Sequence, residues 1–208
     1  IRRMMPFQAN RSYLKTRVSE TLGLLYADHF PYRQVESARD VRQSPVHDRL
    51  KAAGACFGET SGWERANWFL PSSEIAKGTV PAYEYSWKRQ NWFDYSASEH
   101  KAVREKVGMF DMSSFGKIKV IGKDAEDVLQ IIAANDVAVA PGKIVYTQFL
   151  NEAGHIEADV TITRLSSDEF LIVTPAATVR RDLHWINGHI PDHAHAIAID
   201  VTVSESVL

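Results

Sequence analysis

Two alternating segments joined by a short glycine-containing link, residues 144–150 and 156–163, constrain the fold of this chain more than any other feature. In the second segment the apolar residues occupy even positions and the polar residues odd positions, which is the period-two pattern of a half-buried β-strand. The first segment is rich in β-branched and aromatic residues, and the five-residue link suits a hairpin. The pattern predicts that Asp159 and Thr161 share a polar face and that Tyr146 projects near them.

Hydrophobic periodicity in the rest of the second half predicts an α+β fold with a mixed or antiparallel sheet and flanking helices. From residue 115 the pattern indicates strand, helix, two hairpin strands, strand, helix and strand. Ser96 and Glu99 predict a capping box that opens a further helix before this region. Val103 and Val107 are expected on the inward face of that helix.

Helical spacing also predicts a helix near the beginning of the chain, from about Asn10 to a point before Pro31. Its apolar stripe has three- and four-residue spacing and consists of Leu14, Val18, Leu22 and Leu25. Further on, Ser44 and Pro45 predict the N-cap and the first residue of a short helix that ends at Leu50.

Composition excludes several classes of protein. At 208 residues, of which 45% are hydrophobic, the chain can bury a substantial core. The formal net charge of −2 indicates no nucleic-acid footprint, and charged residues interrupt every apolar run before it could span a membrane. The single cysteine, Cys56, can form neither an internal disulfide nor a zinc cage, and it is expected to be a buried small side chain.

Several other side chains could carry chemistry. Four histidines cluster late in the chain: His184, His189, His193 and His195. Without carboxylates or cysteines at supporting spacing, a solvated loop is favoured over a metal site. Asp111, Ser113 and Ser114 lie where a helix gives way to a strand, which favours capping, and Asp136 is expected to be a turn residue. For Asp159, the pattern alone favours a solvated position on the wet face of a strand.

Aromatic residues concentrate between positions 63 and 92, where four of the five tryptophans lie: Trp63, Trp68, Trp87 and Trp92. Pro71 and Pro81 interrupt this region. Large rings can hold irregular backbone together by burying apolar area, and this is the favoured interpretation. The alternative is an aromatic cage for a methylated ammonium group.

Several motifs in the same order resemble the folate-binding aminomethyltransferase family, the glycine cleavage T-proteins. These motifs are SPVHDRL, GWERANWF, MFDMSSFGKIKV and NEAGHIEADVT. The stretch RQNWFDYSASEHKAVREKVGMFDMSSFGK is most similar to the form fused behind a flavin domain in dimethylglycine and sarcosine dehydrogenases. The T-protein-like resemblance covers residues 44–208, and the dehydrogenase-like resemblance covers nearly the whole chain.

The resemblance implies a division of the chain. Residues 1–43 would be the C-terminal tail and connector of a flavin-dependent oxidoreductase domain, and residues 44–208 the N-terminal part of a T-protein-like folate-binding domain. The implied partners are the flavin-bearing domain of the parent polypeptide and a small-molecule folate, with no nucleic acid or membrane. The implied compartment is the cytoplasm in a bacterium or the mitochondrial matrix in a eukaryote.

The resemblance also implies a role for one carboxylate. Asn151, Glu152, Gly154 and Asp159 match the family context NE-x-G-x-x-x-x-D. The family's Asp contacts the pterin of tetrahydrofolate and acts in the proton transfers of one-carbon transfer. A carboxylate suits this role because a pterin edge presents paired N–H donors.

The resemblance further implies a folate pocket, whose matching positions in this chain are Tyr146, Asp159, Phe115 and Thr161. Pro175 stands where simple T-proteins often carry an Asn after the following strand, so this chain departs from the family there. Later segments complete the pocket in the family. The isolated chain is therefore expected to be catalytically incomplete.

The function that the resemblance implies belongs to a fragment of an N-methylglycine dehydrogenase. The flavin of the whole enzyme would oxidise an N-methyl group, and this region would bind tetrahydrofolate and capture the carbon as methylene-tetrahydrofolate. Two alternatives remain open. One is a non-catalytic scaffold similar to the regulatory subunit of pyruvate dehydrogenase phosphatase, and the other is a stand-alone aminomethyltransferase.

The flavin itself should bind outside this chain. No glycine-rich dinucleotide-binding loop occurs in the 208 residues. We therefore expect the purified chain to be colourless and to retain no FAD through gel filtration. A yellow chromophore that elutes with the protein at one equivalent would contradict the implied division of the chain.

Overall fold

Two antiparallel sheets organise the part of the chain described by the computed structural model, residues 5–31 and 33–208. The chain divides into a first unit, residues 1–112 with 207–208, and a second unit, residues 113–206. No helix in the described part is both long and apolar enough to cross a membrane.

The described residues of the first unit surround one hairpin. In chain order the elements are a 3₁₀-helix (Pro6–Ala9), α1 (Arg11–Tyr26), α2 (His47–Ala52), β1 (Ala55–Thr60), β2 (Trp63–Phe69), α3 (Ser72–Ile75) and α4 (Phe93–Glu105). The second unit is built on a larger sheet. Its elements are β3 (Gly116–Ile121), α5 (Ala125–Ile132), β4 (Ile144–Leu150), β5 (Ile156–Arg164), β6 (Glu169–Thr174), α6 (Val179–Gly188) and β7 (Ile197–Asp200).

The five-stranded sheet of the second unit has the order β4-β5-β6-β3-β7, and every neighbouring pair is antiparallel. The predicted α+β class, the antiparallel sheet and its order of strands and helices are confirmed. One face of the sheet forms the core because alternate residues point to opposite faces. Its most buried side chains, each at most 2% exposed, include Ile118, Val120, Phe149, Val160, Ile162 and Ile172.

The two helices of the second unit contribute to this core. The buried apolar residues of α5 are Ala125, Val128, Leu129 and Ile132, and those of α6 are Val179 and Ile186. Close packing is visible at Gly116 in β3, where an added Cβ would lie 2.6 Å from the Cβ of Val179. The opposite face of the sheet carries the polar residues of the hairpin.

The sequence pattern predicted irregular backbone from position 63, but residues Trp63–Phe69 form β2, the second strand of the hairpin in the first unit. Ser61 and Gly62 both have positive φ, 52° and 83°, which suits a two-residue hairpin turn between β1 and β2. Cys56, Trp68 and Leu70 form a buried cluster behind the hairpin. Half-buried side chains complete this cluster: Ile75, Tyr83, Trp92 and Tyr95.

Two predicted helix starts are wrong. The short helix α2 begins at His47 rather than at Pro45, and the buried Ser44 hydroxyl donates a hydrogen bond to the Asp111 carboxylate instead of capping the helix. Helix α4 begins at Phe93, three residues before the predicted cap at Ser96. Polar side chains whose spacing suggested local capping thus form hydrogen bonds with residues that are distant in sequence.

Glu99 shows what replaced the predicted capping box. Its carboxylate accepts a hydrogen bond from the backbone N–H of Phe69 in β2, at 2.6 Å. Burial raises the pKa of Glu99 above its ordinary value, against the lowering effect of that hydrogen bond. The inward orientation predicted for two valines of this region is also wrong, since Val103 is 43% exposed and Val107 is 86% exposed.

Helix α1 confirms the predicted segment but has an unexpected orientation. Its N-cap is Asn10, whose side chain accepts hydrogen bonds from the backbone N–H groups of Ser12 and Tyr13. The residue that it buries is Arg17, only 9% exposed, while Val18 and Leu22 of the apolar stripe are 53% and 56% exposed. The helix therefore packs through its polar face.

Arg17 is expected to hold α1 in place. Its guanidinium donates to the backbone carbonyls of Ser37 at 2.7 Å and Ala38 at 3.1 Å, and to Glu59 at 3.2 Å. Arg17→Ala removes the guanidinium donor from these three half-buried acceptors, which should cost roughly 3–5 kcal/mol. Amide hydrogen exchange along α1 should accelerate accordingly. Lys15→Ala, an exposed change on the same helix, is the control, and equal exchange in the two variants would refute the anchoring role.

Candidate functional site

The candidate site lies on the open face of the β4–β5 hairpin. The strand register pairs Gln148 with Asp159 and Tyr146 with Thr161. These four side chains share one face, because Thr147 and Val160, which lie between them, pair on the buried face. Tyr146 therefore lies beside the strand that carries Asp159, as predicted.

Asp159 interacts with two side chains of the neighbouring strand. Gln148 donates from Nε2 to Asp159 Oδ1 at 3.3 Å. The neighbouring Asp159 carboxylate is also the main reason why the pKa of Tyr146 is raised above its ordinary value. Ionisation of the phenol would bring two negative charges close together. Asp159 and Tyr146 are both exposed, Tyr146 by 59%.

The hairpin link holds the acid-bearing strand through a local network. Asn151 Oδ1 accepts hydrogen bonds from the backbone N–H groups of Ala153 at 3.1 Å and His155 at 3.0 Å. Its Nδ2 donates to Glu157 at 2.9 Å. Gly154 has φ +77°, which a residue with a side chain rarely adopts. The Asn and Gly of the family motif therefore shape the turn, and Asp159 remains available on the open face.

The structure brings some of the implied site residues together and separates another. Tyr146, Asp159 and Thr161 are close neighbours in two paired strands, and Thr161 is half-buried opposite Val173 of β6. Phe115 immediately precedes β3, on the far side of β6 from the hairpin. Gln148 is the member that the sequence analysis missed, although its even spacing from Tyr146 placed it on the same face.

The surroundings of Asp136, Cys56, Ser113 and Ser114 indicate structural roles for these side chains. The Asp136 carboxylate accepts hydrogen bonds from the Ala138 N–H and the Gln130 amide, as expected of a turn residue. Burial raises the pKa of the Cys56 thiol to about 11, which suits an inert small side chain. Ser113 and Ser114 are buried.

The histidines near the C-terminal end of the chain contact different residues. The His189 ring lies 2.8 Å from the Trp185 carbonyl, and the His195 ring lies 3.3 Å from the Asp124 carboxylate. Within residues 5–31 and 33–208, no group of three or more His, Cys, Asp or Glu side chains is arranged to hold a metal ion.

The aromatic region of the first unit lines a cavity of about 620 Å³. Phe30 and Tyr85 stack with centroids 6.0 Å apart, and Phe30 meets Trp87 at 4.8 Å. Rings at these distances pack on one another, so a methylated ammonium cannot lie between their faces. The lining also includes the cationic Lys88. The geometry favours the packing interpretation of these aromatics over a cage.

Two protein families match this chain. Residues 46–207 match the GCVT N-terminal domain, and residues 1–44 match the FAD dependent oxidoreductase central domain. The boundary between the matches lies within the first structural unit, so the connector and the beginning of the GCVT region fold together.

Three curated relatives are each much longer than the chain. A 4-methylaminobutanoate oxidase (formaldehyde-forming) of Paenarthrobacter nicotinovorans is 51% identical over 89% of the chain and 22% of the relative. The mitochondrial pyruvate dehydrogenase phosphatase regulatory subunit of Mus musculus is 34% identical over 97% of the chain and 23% of the relative. The mitochondrial sarcosine dehydrogenase of Homo sapiens is 31% identical over 74% and 19%. The chain thus spans about a fifth of the length of these proteins.

A solved structure has a similar fold. The glycine cleavage system aminomethyltransferase T of Bartonella henselae superposes with a TM-score of 0.61 over 78% of this chain and 39% of that chain. The sequence identity is 22%, so this likeness concerns the fold alone.

The contact between Tyr146 and Asp159 is directly measurable. In Asp159→Asn the negative charge beside the phenol is lost, so the pKa of Tyr146 should fall towards its ordinary value. A pH titration of the Tyr146 ring resonances by NMR would follow this change. Glu157→Gln, two residues away on the same strand face, should leave the titration unchanged. An unaltered pKa in Asp159→Asn would show that the two groups do not interact in solution.

Proposed function

The chain belongs to the GCVT N-terminal domain family, and on this premise we propose that its hairpin face binds tetrahydrofolate and serves one-carbon transfer. The resemblance to the folate-binding region of sarcosine dehydrogenase-like flavoproteins is confirmed by the two family matches and the relatives. Members of these families use folate and FAD. The proposal assigns the folate to this chain and the FAD to the remainder of a longer polypeptide.

The observation that carries the proposal is the arrangement of Asp159. Its carboxylate is exposed and accepts a hydrogen bond from the Gln148 amide, and it retains acceptor capacity because an ionised carboxylate can accept about four hydrogen bonds. Paired N–H donors on the edge of a pterin match such a free carboxylate edge. The site therefore fits tetrahydrofolate, because the N–H donors of the pterin complement the acceptor oxygens of Asp159.

Apolar neighbours would give the pterin ring a flat surface. Ile144 on β4 is 66% exposed on the same face as Tyr146, and Val173 on β6 is half-buried beside Thr161. A heteroaromatic ring placed on this face would stack on apolar and aromatic side chains while its edge meets Asp159. In this proposal Tyr146 and Thr161 position the ring, and Phe115 extends the wall from the side of β3.

Bound tetrahydrofolate would supply a nitrogen nucleophile that accepts the one-carbon unit. The chain's own contribution would be general acid–base catalysis by Asp159, whose carboxylate can accept a proton from a bound amine and return it. Gln148 would keep the carboxylate oriented through its hydrogen bond. Because Asp159 is exposed here, exclusion of water from the reaction would fall to parts of the parent protein beyond these residues.

We propose the same division of the chain that the resemblance implies. Residues 1–43 end a flavin-bearing domain and residues 44–208 begin the folate-binding region. The flavin-bearing domain would oxidise an N-methyl group, and this region would capture the carbon. The compartment would be the cytoplasm in a bacterium or the mitochondrial matrix in a eukaryote, and two of the relatives are mitochondrial by name.

The second candidate is a regulatory scaffold. The match to the pyruvate dehydrogenase phosphatase regulatory subunit extends over 97% of the chain, more than the match to either flavoenzyme. A scaffold would need neither a free Asp159 edge nor a folate. A stand-alone aminomethyltransferase is disfavoured because residues 1–44 match an oxidoreductase domain.

The decisive test is Asp159→Asn in the full-length flavoprotein that carries this segment. The change keeps the shape but removes a charge-assisted acceptor, so tetrahydrofolate affinity should fall by about one to two orders of magnitude, or roughly 1.5–3 kcal/mol. Amine oxidation at the flavin should continue nearly unchanged. Formaldehyde should then replace methylene-tetrahydrofolate as the product, and a product assay with and without tetrahydrofolate measures this partition.

Glu157→Gln is the matched control, since it retains an acceptor oxygen for Asn151 and should alter neither reaction. If both variants leave folate binding and product partition intact, Asp159 is a solvated strand residue. If the unmodified protein releases formaldehyde regardless of added tetrahydrofolate, the one-carbon proposal fails and the scaffold gains support.

A further inference from the structure

Helix α1 presents its polar side to its own unit and its apolar side outward. In addition to Arg17, the Glu20 carboxylate accepts hydrogen bonds from the backbone N–H groups of Glu36 at 2.7 Å and Ser37 at 2.9 Å. Burial disfavours the charged form of Glu20, but these hydrogen bonds and one donated by the Ser37 hydroxyl outweigh burial and lower the pKa of Glu20. Polar contacts therefore fix one side of the helix.

The outward side carries large apolar side chains without a cover. Four large apolar side chains of the 16-residue helix α1 are strongly exposed: Val18 by 53%, Leu22 by 56%, Leu25 by 72% and Tyr26 by 83%. Three of them follow the spacing i, i+4, i+7, so they form one stripe on the helix. Exposed Arg11 and Lys15 continue the same stripe towards the N-terminus. A contiguous apolar stripe with a basic end is typical of an interaction surface.

We propose that this stripe, Val18, Leu22, Leu25 and Tyr26, is the docking surface for the flavin-bearing part of the same polypeptide. The inference rests on the proposed function, because it takes that part as the partner. Residues 1–44, which contain the whole of α1, match the FAD dependent oxidoreductase central domain. A helix that belongs to that domain and turns Leu22 and Leu25 away from its contacts with Ser37 and Glu59 would turn them towards the domain's own core.

The size of the stripe favours a covalently linked partner over a second copy of the chain. Stable interfaces between separate proteins bury about 800 Å² on each partner. Four partly exposed side chains on one helix face supply less than this area. A domain in the same polypeptide needs less area, since the linkage provides a high effective concentration. Its docking face should be apolar, with acidic groups at the end that meets Arg11 and Lys15.

Thiol labelling tests the inference directly. The native cysteine, Cys56, is 4% exposed and burial raises its thiol pKa to about 11, so it should react slowly. Leu22→Cys places a thiol in the stripe, and Thr16→Cys places one on an exposed side of α1 away from the stripe. Site-resolved mass spectrometry after a maleimide pulse would measure both rates, in the 208-residue chain and in the full-length FAD-loaded protein.

We expect the two thiols to react at similar rates in the isolated chain. In the full-length protein Leu22→Cys should be slowed by at least about 100-fold while Thr16→Cys is unchanged. Equal rates for Leu22→Cys in both proteins would overturn the inference. Protection in the isolated chain that disappears on dilution would also overturn it, in favour of a second copy. Neither readout depends on folate, so a failed folate proposal would leave this test interpretable.

Discussion

The register between β4 and β5 is the constraint on which the second unit depends. Pairing of Thr147 with Val160 places both on the core side, and a shift by one residue would exchange the buried and exposed sets. Burial of Val160 and Ile162 therefore fixes the position of Asp159 as firmly as any contact of Asp159 itself. The turn network around Asn151 sets the same register from the other end of the hairpin. The candidate site is thus a consequence of core packing.

The first unit depends on buried charge instead. Arg17 and Glu20 of α1 bind the connector, and a second pair, Arg39 and Glu64, joins the connector to β2. Buried ion pairs contribute to stability only when their hydrogen bonds are complete, and both pairs have additional backbone partners. Such networks fix one arrangement of the connector. They also leave the apolar side of α1 free for another surface.

The two units suggest a division of roles within one polypeptide. In our proposals the open strand face of the second unit binds a small heteroaromatic ligand, and the exposed helix face of the first unit binds a protein domain. The aromatic cluster around Trp68 gives the first unit a core of its own despite its few strands. This combination agrees with a chain that spans about a fifth of its curated relatives and joins two of their families.

The sequence by itself determined the strands and helices of the second unit, the shared face of Tyr146 and Asp159, and the helix after Asn10. These features follow from local periodicity, which each segment carries independently of the rest. Only the tertiary structure decided where α4 starts, since the carboxylate of Glu99 accepts a hydrogen bond from Phe69 of β2 instead of capping the helix. It also decided that the Ser44 hydroxyl donates a hydrogen bond to Asp111. It also decided which side of α1 is buried, because a guanidinium with several distant acceptors outweighed the apolar stripe. Partners distant in sequence leave no periodic signal, so capping motifs and helix orientation could not be predicted from spacing alone.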